Sequence, residues 1–144
     1  MKIIRNLSGL LFISFSVVSC QDYGKKVVKG PIEVYFKEGI TEGQAMHTAD
    51  LFAYIDSAQN NNTKQTRSFQ LCKKNDTCCF RMVSDKDRLA KVPENSFFVI
   101  GDLVSDSIFN SAPVNVELTN VKFETFKTFP YKKAAMENTD SPQQ

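Results

Sequence analysis

Apolar and polar residues alternate over residues 32–36, and this period of two predicts a half-buried strand. Over residues 42–58 the apolar residues recur every three or four positions, which is the period of a helix. Thr41 and Gln44 fit a capping box at the start of this helix, in which two side chains satisfy two free backbone N–H groups. The core-facing positions are Ile32, Val34 and Phe36 in the strand and Ala45, Thr48, Ala49, Phe52 and Ile55 in the helix.

A hairpin is predicted in the middle of the chain, where residues 68–74 and 77–83 flank the favourable two-residue turn Asn75-Asp76. This turn fixes the register and places Cys72 directly opposite Cys79. The alternation assigns one set of side chains to the core and another set to the opposite face, and a slip of one residue would mix the two sets. The core set is Phe69, Leu71, Cys78, Phe80 and Met82, and the opposite set is Gln70, Cys72, Cys79 and Arg81.

The second half of the chain shows the same two periods. A helical spacing follows Pro93, residues 114–118 alternate, and residues 121–129 form a last strand. The predicted order is β-α-β-β-α-β-β. The simplest matching fold is α+β, with two helices packed on one face of a mainly antiparallel sheet of four or five strands. This fold is a variant of the ferredoxin-like arrangement.

The first 19 residues have the parts of an export signal. Lys2 and Arg5 give a basic start, residues 7–18 form an apolar run too short to span a bilayer, and the run ends in Val-Val-Ser-Cys. This ending resembles the lipobox of bacterial lipoproteins. The resemblance implies cleavage before Cys20, acylation of its sulfur and amine, and a stable membrane anchor. The alternative is a chance cysteine after an ordinary signal or in a buried strand.

Processing at Cys20 changes the charge of the chain. The sequence has 18 basic and 16 acidic residues, and residues 1–19 contain two of the basic ones and no acidic one. The mature chain is therefore formally neutral, which argues against a nucleic-acid partner. Its length suits one small domain. We expect a tether at 20–31, a domain at 32–131 and a polar, disordered tail at 132–144.

Three cysteines of the mature chain fall in the predicted hairpin. Cys72 and Cys79 could form a disulfide, although direct opposition strains its torsion, or they could serve thiol redox or metal chemistry. The alternative is that these two and Cys78 are small apolar strand residues. His47 is the only histidine, and no catalytic motif or metal-ligand spacing is present in the sequence. No catalytic residue, metal or cofactor is therefore predicted.

The polar side of the first helix presents His47, Asp50 and Tyr54. We expect this face, or a sheet edge, to meet a partner protein of the cell envelope, so a non-enzymatic interaction module is the leading hypothesis. A redox or metal-handling lipoprotein that uses Cys72 and Cys79 is the second. The third is a small ligand held in an apolar pocket between sheet and helices, which leaves no local motif.

Three stretches together resemble an uncharacterised domain of bacterial envelope proteins. They are Gly39-Ile40-Thr41-Glu42, Phe69-Gln70-Leu71 through Phe80-Arg81-Met82-Val83, and Asp106-Ser107-Ile108-Phe109 through Pro113-Val114-Asn115-Val116-Glu117-Leu118. The similarity covers about residues 32–129 and implies a Bacteroidota-type small lipoprotein, but no activity. Gln21 and the single acid Asp22 favour an anchor in the outer membrane with the domain facing the periplasm.

Overall fold

The computed structural model describes residues 22–59 and 64–132. Cys20, the predicted export signal at residues 1–19 and residues 133–144 of the predicted tail lie outside the described residues. The elements are β1 (Lys25–Lys29), β2 (Ile32–Phe36), α1 (Glu42–Ala58), β3 (Arg67–Lys74), β4 (Thr77–Val83), α2 (Lys86–Leu89), α3 (Asn95–Ile108), β5 (Val114–Thr119) and β6 (Thr125–Phe129).

The six strands form one sheet in the order β1-β2-β3-β4-β5-β6. β2 pairs in parallel with β3 and β4 with β5, while the other neighbours are antiparallel. The fold is α+β, as the periodicity predicts, but the expected four- or five-stranded, mainly antiparallel, ferredoxin-like sheet is wrong. The sheet is larger and mixed because each long helix connects two adjacent parallel strands. Tertiary packing decides this pairing, and the period along the chain does not encode it.

Both long helices cover the same face of the sheet. Phe52 of α1 stacks on Phe80, and α3 comes close at Gly101 to Val116, the strand partner of Phe80. The two parallel pairs run in opposite directions because β3 and β4 are antiparallel. The crossovers β2-α1-β3 and β4-α3-β5 therefore have opposite hands, so one of them is left-handed, whereas nearly all such crossovers are right-handed.

Strand β1 lies within the segment 20–31 for which the sequence pattern predicts a tether. It pairs with β2 across a turn at Gly30 and Pro31, and Val27 is its one buried residue. A strand with one inward apolar side chain among lysines shows almost no alternation of apolar and polar residues, so the sequence pattern does not predict it. The ordered sheet consequently begins at Lys25, close in sequence to Cys20.

A phenylalanine cluster lies between α1 and the central hairpin. The ring of Phe52 is 4.6 Å from that of Phe69 and 5.2 Å from that of Phe80, measured between centroids. Such pairs contribute about 0.5–1.5 kcal/mol beyond their burial. The predicted hairpin register is confirmed at every pair, and the capping box between Thr41 and Gln44 is confirmed at the start of α1.

Candidate functional site

A cavity of about 310 Å³ lies between the helices and the β6 end of the sheet, and we call it the β6 pocket. Its walls come from α2 and the segment after it, the start of α3, and strands β5 and β6. The lining residues are Lys86, Leu89, Ala90, Val92, Glu94, Phe97, Leu118, Phe126, Lys127 and Phe129. This volume is at the lower end of the range for small-molecule sites.

A bulge in β6 shapes one wall of the pocket. Thr125 pairs with Thr119 and Lys127 pairs with Leu118, so Phe126 is an extra residue in β6. A bulge interrupts the alternation of side chains and re-aims one of them. Phe126 and Lys127 both line the pocket as a result, although they are neighbours in sequence. Strict alternation would have put them on opposite faces of the sheet.

The short helix α2 forms the wall opposite β6 and lies between the predicted hairpin and the predicted second helix, in a charged stretch (84–92) whose pattern is typical of a loop. Its N-cap residue is Asp85, whose side chain accepts a hydrogen bond from the backbone of Asp87 at 2.9 Å. Leu89 is half-buried and faces the pocket. Four residues are too few for a helical period to emerge from the sequence, and the capping aspartate is the one local signal that could have indicated this helix.

Three charged residues form the exposed rim of the pocket. Lys127 pairs with Glu94 and lies over the Phe129 ring, 5.0 Å from its centroid. The hydrogen bond from Lys127 lowers the pKa of Glu94. The ammonium of Lys86 lies 5.0 Å from the centroid of the Phe126 ring and forms no ion pair within residues 22–59 and 64–132.

A buried polar network surrounds Glu117 on the sheet face opposite the helices. Lys74, Arg81 and Thr125 donate hydrogen bonds to its carboxylate at 2.6, 2.9 and 2.7 Å. Burial by itself raises the pKa of Glu117, but these hydrogen bonds outweigh burial and hold the pKa at about 2. The carboxylate is therefore charged throughout the physiological range, which suits a structural role.

Aromatic side chains cover part of this network. The rings of Tyr23, Tyr35 and Phe123 meet edge to face, with centroids 5.3 to 5.9 Å apart. The side-chain amide of Gln70 donates to the carbonyl of Tyr23 at 2.9 Å, and Arg81 donates to the oxygen of the same amide at 2.8 Å. The start of the described chain is thus tied to the centre of the sheet.

Cys72 and Cys79 are direct cross-strand partners beside this network, and both are free and buried. The hydrogen bond from the Cys79 thiol lowers the pKa of Cys72 to about 7, and the same interaction raises the pKa of Cys79. A thiolate reacts only if the reaction partner can reach its sulfur, and both side chains are almost fully enclosed. Cys78 lies on the helix side, where burial raises its pKa. Disulfide formation and redox use stay predictions.

The residues His47, Asp50 and Tyr54 lie on the exposed side of α1. Asp50 forms an ion pair with Lys29 of β1 at 3.1 Å, so this face extends to the sheet edge. Within the described ranges, no group of three or more His, Cys, Asp or Glu side chains is placed to hold a metal ion. None of the helices described there is long and apolar enough to cross a membrane.

Comparison with known proteins assigns a family without an activity. A model for the N-terminal domain of an uncharacterised family matches residues 26–129, which span β1 to β6. No curated protein and no solved structure gives a significant match. No residue role can therefore be transferred, and function has to be argued from the pocket and surfaces of this chain.

Proposed function

The chain belongs to this uncharacterised family, and we propose that it is a lipid-anchored binding protein of the bacterial cell envelope that takes up a small apolar molecule. The observation that supports this proposal is the β6 pocket, whose 310 Å³ is bounded by seven apolar residues among ten. Moving apolar ligand surface from water into such walls contributes about 25 cal/mol per Å².

The ionisable residues of the pocket suit binding rather than catalysis. They are Lys86, Glu94 and Lys127, and all three are exposed to solvent. Acid–base catalysis relies on a group whose pKa is tuned and which lies within hydrogen-bond reach of a nucleophile or substrate. Glu94 and Lys127 instead neutralise each other at the rim. The proposed role is therefore non-enzymatic.

The anchor in this proposal rests on the sequence. Cys20 follows an export signal, and β1 begins five positions later at Lys25. Only Gln21 and Asp22 separate Cys20 from Tyr23, whose carbonyl accepts a hydrogen bond from Gln70 of the sheet, so lipidation at Cys20 would keep the domain beside the membrane surface. Gln21 and Asp22 support an outer-membrane anchor facing the periplasm in an envelope of the Bacteroidota type.

Photoaffinity labelling of the full chain in its membrane tests the pocket. The probe is a neutral octanol with a diazirine group, and labelled peptides are identified by mass spectrometry. We expect labels within residues 86–97 and on β6. Ala90→Trp should abolish them because the indole would fill the pocket. The exposed residue Ala58 of α1 provides the matched control, so Ala58→Trp should label like the wild type. Labelling that Ala90→Trp leaves unchanged would refute the proposal.

A partner protein is the second candidate ligand, favoured by one surface residue. The side chain of Tyr54 is 70% exposed and lies on the same side of α1 as His47 and the Asp50–Lys29 pair. Exposed tyrosines often anchor interfaces. A photo-crosslinking amino acid at position 54 should capture one discrete envelope protein in cells, and Cys20→Ala should abolish the capture. The same amino acid at Val121, which is 77% exposed, should not capture it. Equal capture at both positions would argue against this surface.

A further inference from the structure

We infer that the ligand of the β6 pocket is a medium-chain carboxylate, an acyl chain of about eight carbons that ends in a single negative charge. This inference rests on the proposed function, because it assigns a ligand class to the same pocket. It is carried by Lys86 at the rim, which forms no ion pair with another described residue, by the volume of the pocket and by the apolar walls.

The rim of the pocket has one positive charge in excess. Lys127 and Glu94 compensate each other, whereas Lys86 has no ion-pair partner among the residues described and is held over Phe126 by its contact with the ring. An anionic group at the rim would meet Lys86 without displacing an existing pair. A cationic group would find only the carboxylate of Glu94, which Lys127 already occupies.

The excess of one charge also selects the kind of anion. A carboxylate brings one negative charge and matches the single ammonium of Lys86. A phosphate monoester brings about 1.5 to 2 negative charges at pH 7, part of which would stay uncompensated beside Glu94. The acidic neighbours of Lys86 in sequence, Asp85 and Asp87, do not line the pocket. A carboxylate is therefore the better match.

The volume of the pocket sets the length of the apolar part. A cavity of about 310 Å³ is at the small end of ligand pockets, so it suits a medium-length chain better than a long-chain lipid. Octanoate has eight carbons and two oxygens. Its chain would contact Leu89, Phe97 and Leu118 on the pocket walls, while its carboxylate stays at the rim beside Lys86.

Three diazirine probes of equal chain length test this inference on the full membrane-anchored chain: an octanoate, an octanol and an octylamine. They are compared in the wild type and in the charge reversals Lys86→Glu and Lys91→Glu. Lys91 is an exposed lysine of the same segment that does not line the pocket, so it is the matched control. Each comparison keeps the probe and the membrane fixed and changes one side chain, so partitioning into the membrane cancels.

We expect Lys86→Glu to raise the octanoate concentration needed for half-maximal labelling about fivefold to tenfold, because an attraction between partly exposed charges is replaced by a repulsion. The same variant should lower the concentration needed for octylamine. Octanol should stay within about twofold of its wild-type value, and Lys91→Glu should resemble the wild type with every probe.

The other outcomes separate this inference from the proposed function. If octanoate and octanol label the pocket equally and Lys86→Glu changes neither, the pocket binds small molecules but the carboxylate assignment is wrong. If Lys86→Glu weakens octanol as much as octanoate, Lys86 maintains the shape of the pocket, and the assignment fails as well. If no probe labels the pocket, the proposed function fails together with the inference.

Discussion

Replacing Glu117 by glutamine tests how far the buried network stabilises the fold. Glutamine keeps the shape of the side chain and removes the charge from a residue that is only 2% exposed. Lys74 and Arg81 then lose their shared counter-charge. The loss matters most at Arg81, because its guanidinium is itself mostly buried, whereas the Lys74 side chain remains half exposed to water.

The pKa of Glu117 gives the size of the effect. The ordinary value of 4.5 and the value of about 2 in the folded protein differ by about 2.5, which corresponds to about 3 kcal/mol in favour of the charged form. Removing one partner of a buried ion pair typically costs about 3–5 kcal/mol. Glu117→Gln should therefore lower the free energy of unfolding by about 3 kcal/mol at pH 7.

The pH dependence of this difference makes the test specific. The pKa of Glu117 is lower in the folded state than in the unfolded state, so its stabilisation is complete above about pH 4.5 and is lost as the pH falls toward 2. The wild type and Glu117→Gln should thus converge in stability across this window. Glu33, whose pKa is lowered by the hydrogen bond from Lys26, titrates in both proteins and cancels in the difference.

Urea unfolding at several pH values between 7 and 2, followed by circular dichroism, measures both curves. Glu94→Gln serves as the control, because Glu94 forms an exposed pair with Lys127 and such pairs contribute little. A stability difference that persists unchanged at pH 2 would refute the reasoning. So would a loss at pH 7 no larger than that of Glu94→Gln.

Two further predictions concern the cysteine pair and Gly24, which precedes β1. Iodoacetamide should alkylate Cys72 and Cys79 far more slowly in the native protein than in urea, because the enclosure of both thiols outweighs the lowered pKa of Cys72. Mass spectrometry measures the alkylation, and fast reaction of the native protein or a reversible disulfide would support a redox role. Gly24→Ala should destabilise the fold by more than about 2 kcal/mol, because φ is +84° and the new Cβ would lie 2.2 Å from the carbonyl oxygen of Phe36. Gly30→Ala, with φ at +55° and open space around it, isolates the backbone cost in thermal unfolding, and an equal loss in both variants would argue against the steric clash.

The hairpin and the start of α1 could be predicted because their determinants are local. Asn75-Asp76 fixes the register that sets Cys72 opposite Cys79, and Thr41 with Gln44 fixes the start of α1. The candidate pocket could be anticipated only as a class of site between sheet and helices. Its residues could not, because the alternation in β6 conceals the extra residue Phe126.

The sequence by itself determined the order of the main elements and the two faces of the hairpin, because side-chain periods of 2 and 3.6 are properties of a local backbone. Tertiary structure decided which strands are neighbours, that β1 joins the sheet, and that Lys86, Phe97 and Phe126 line one cavity. These outcomes depend on how much apolar surface distant segments can bury together. That quantity is a property of the packed chain, and no local pattern encodes it.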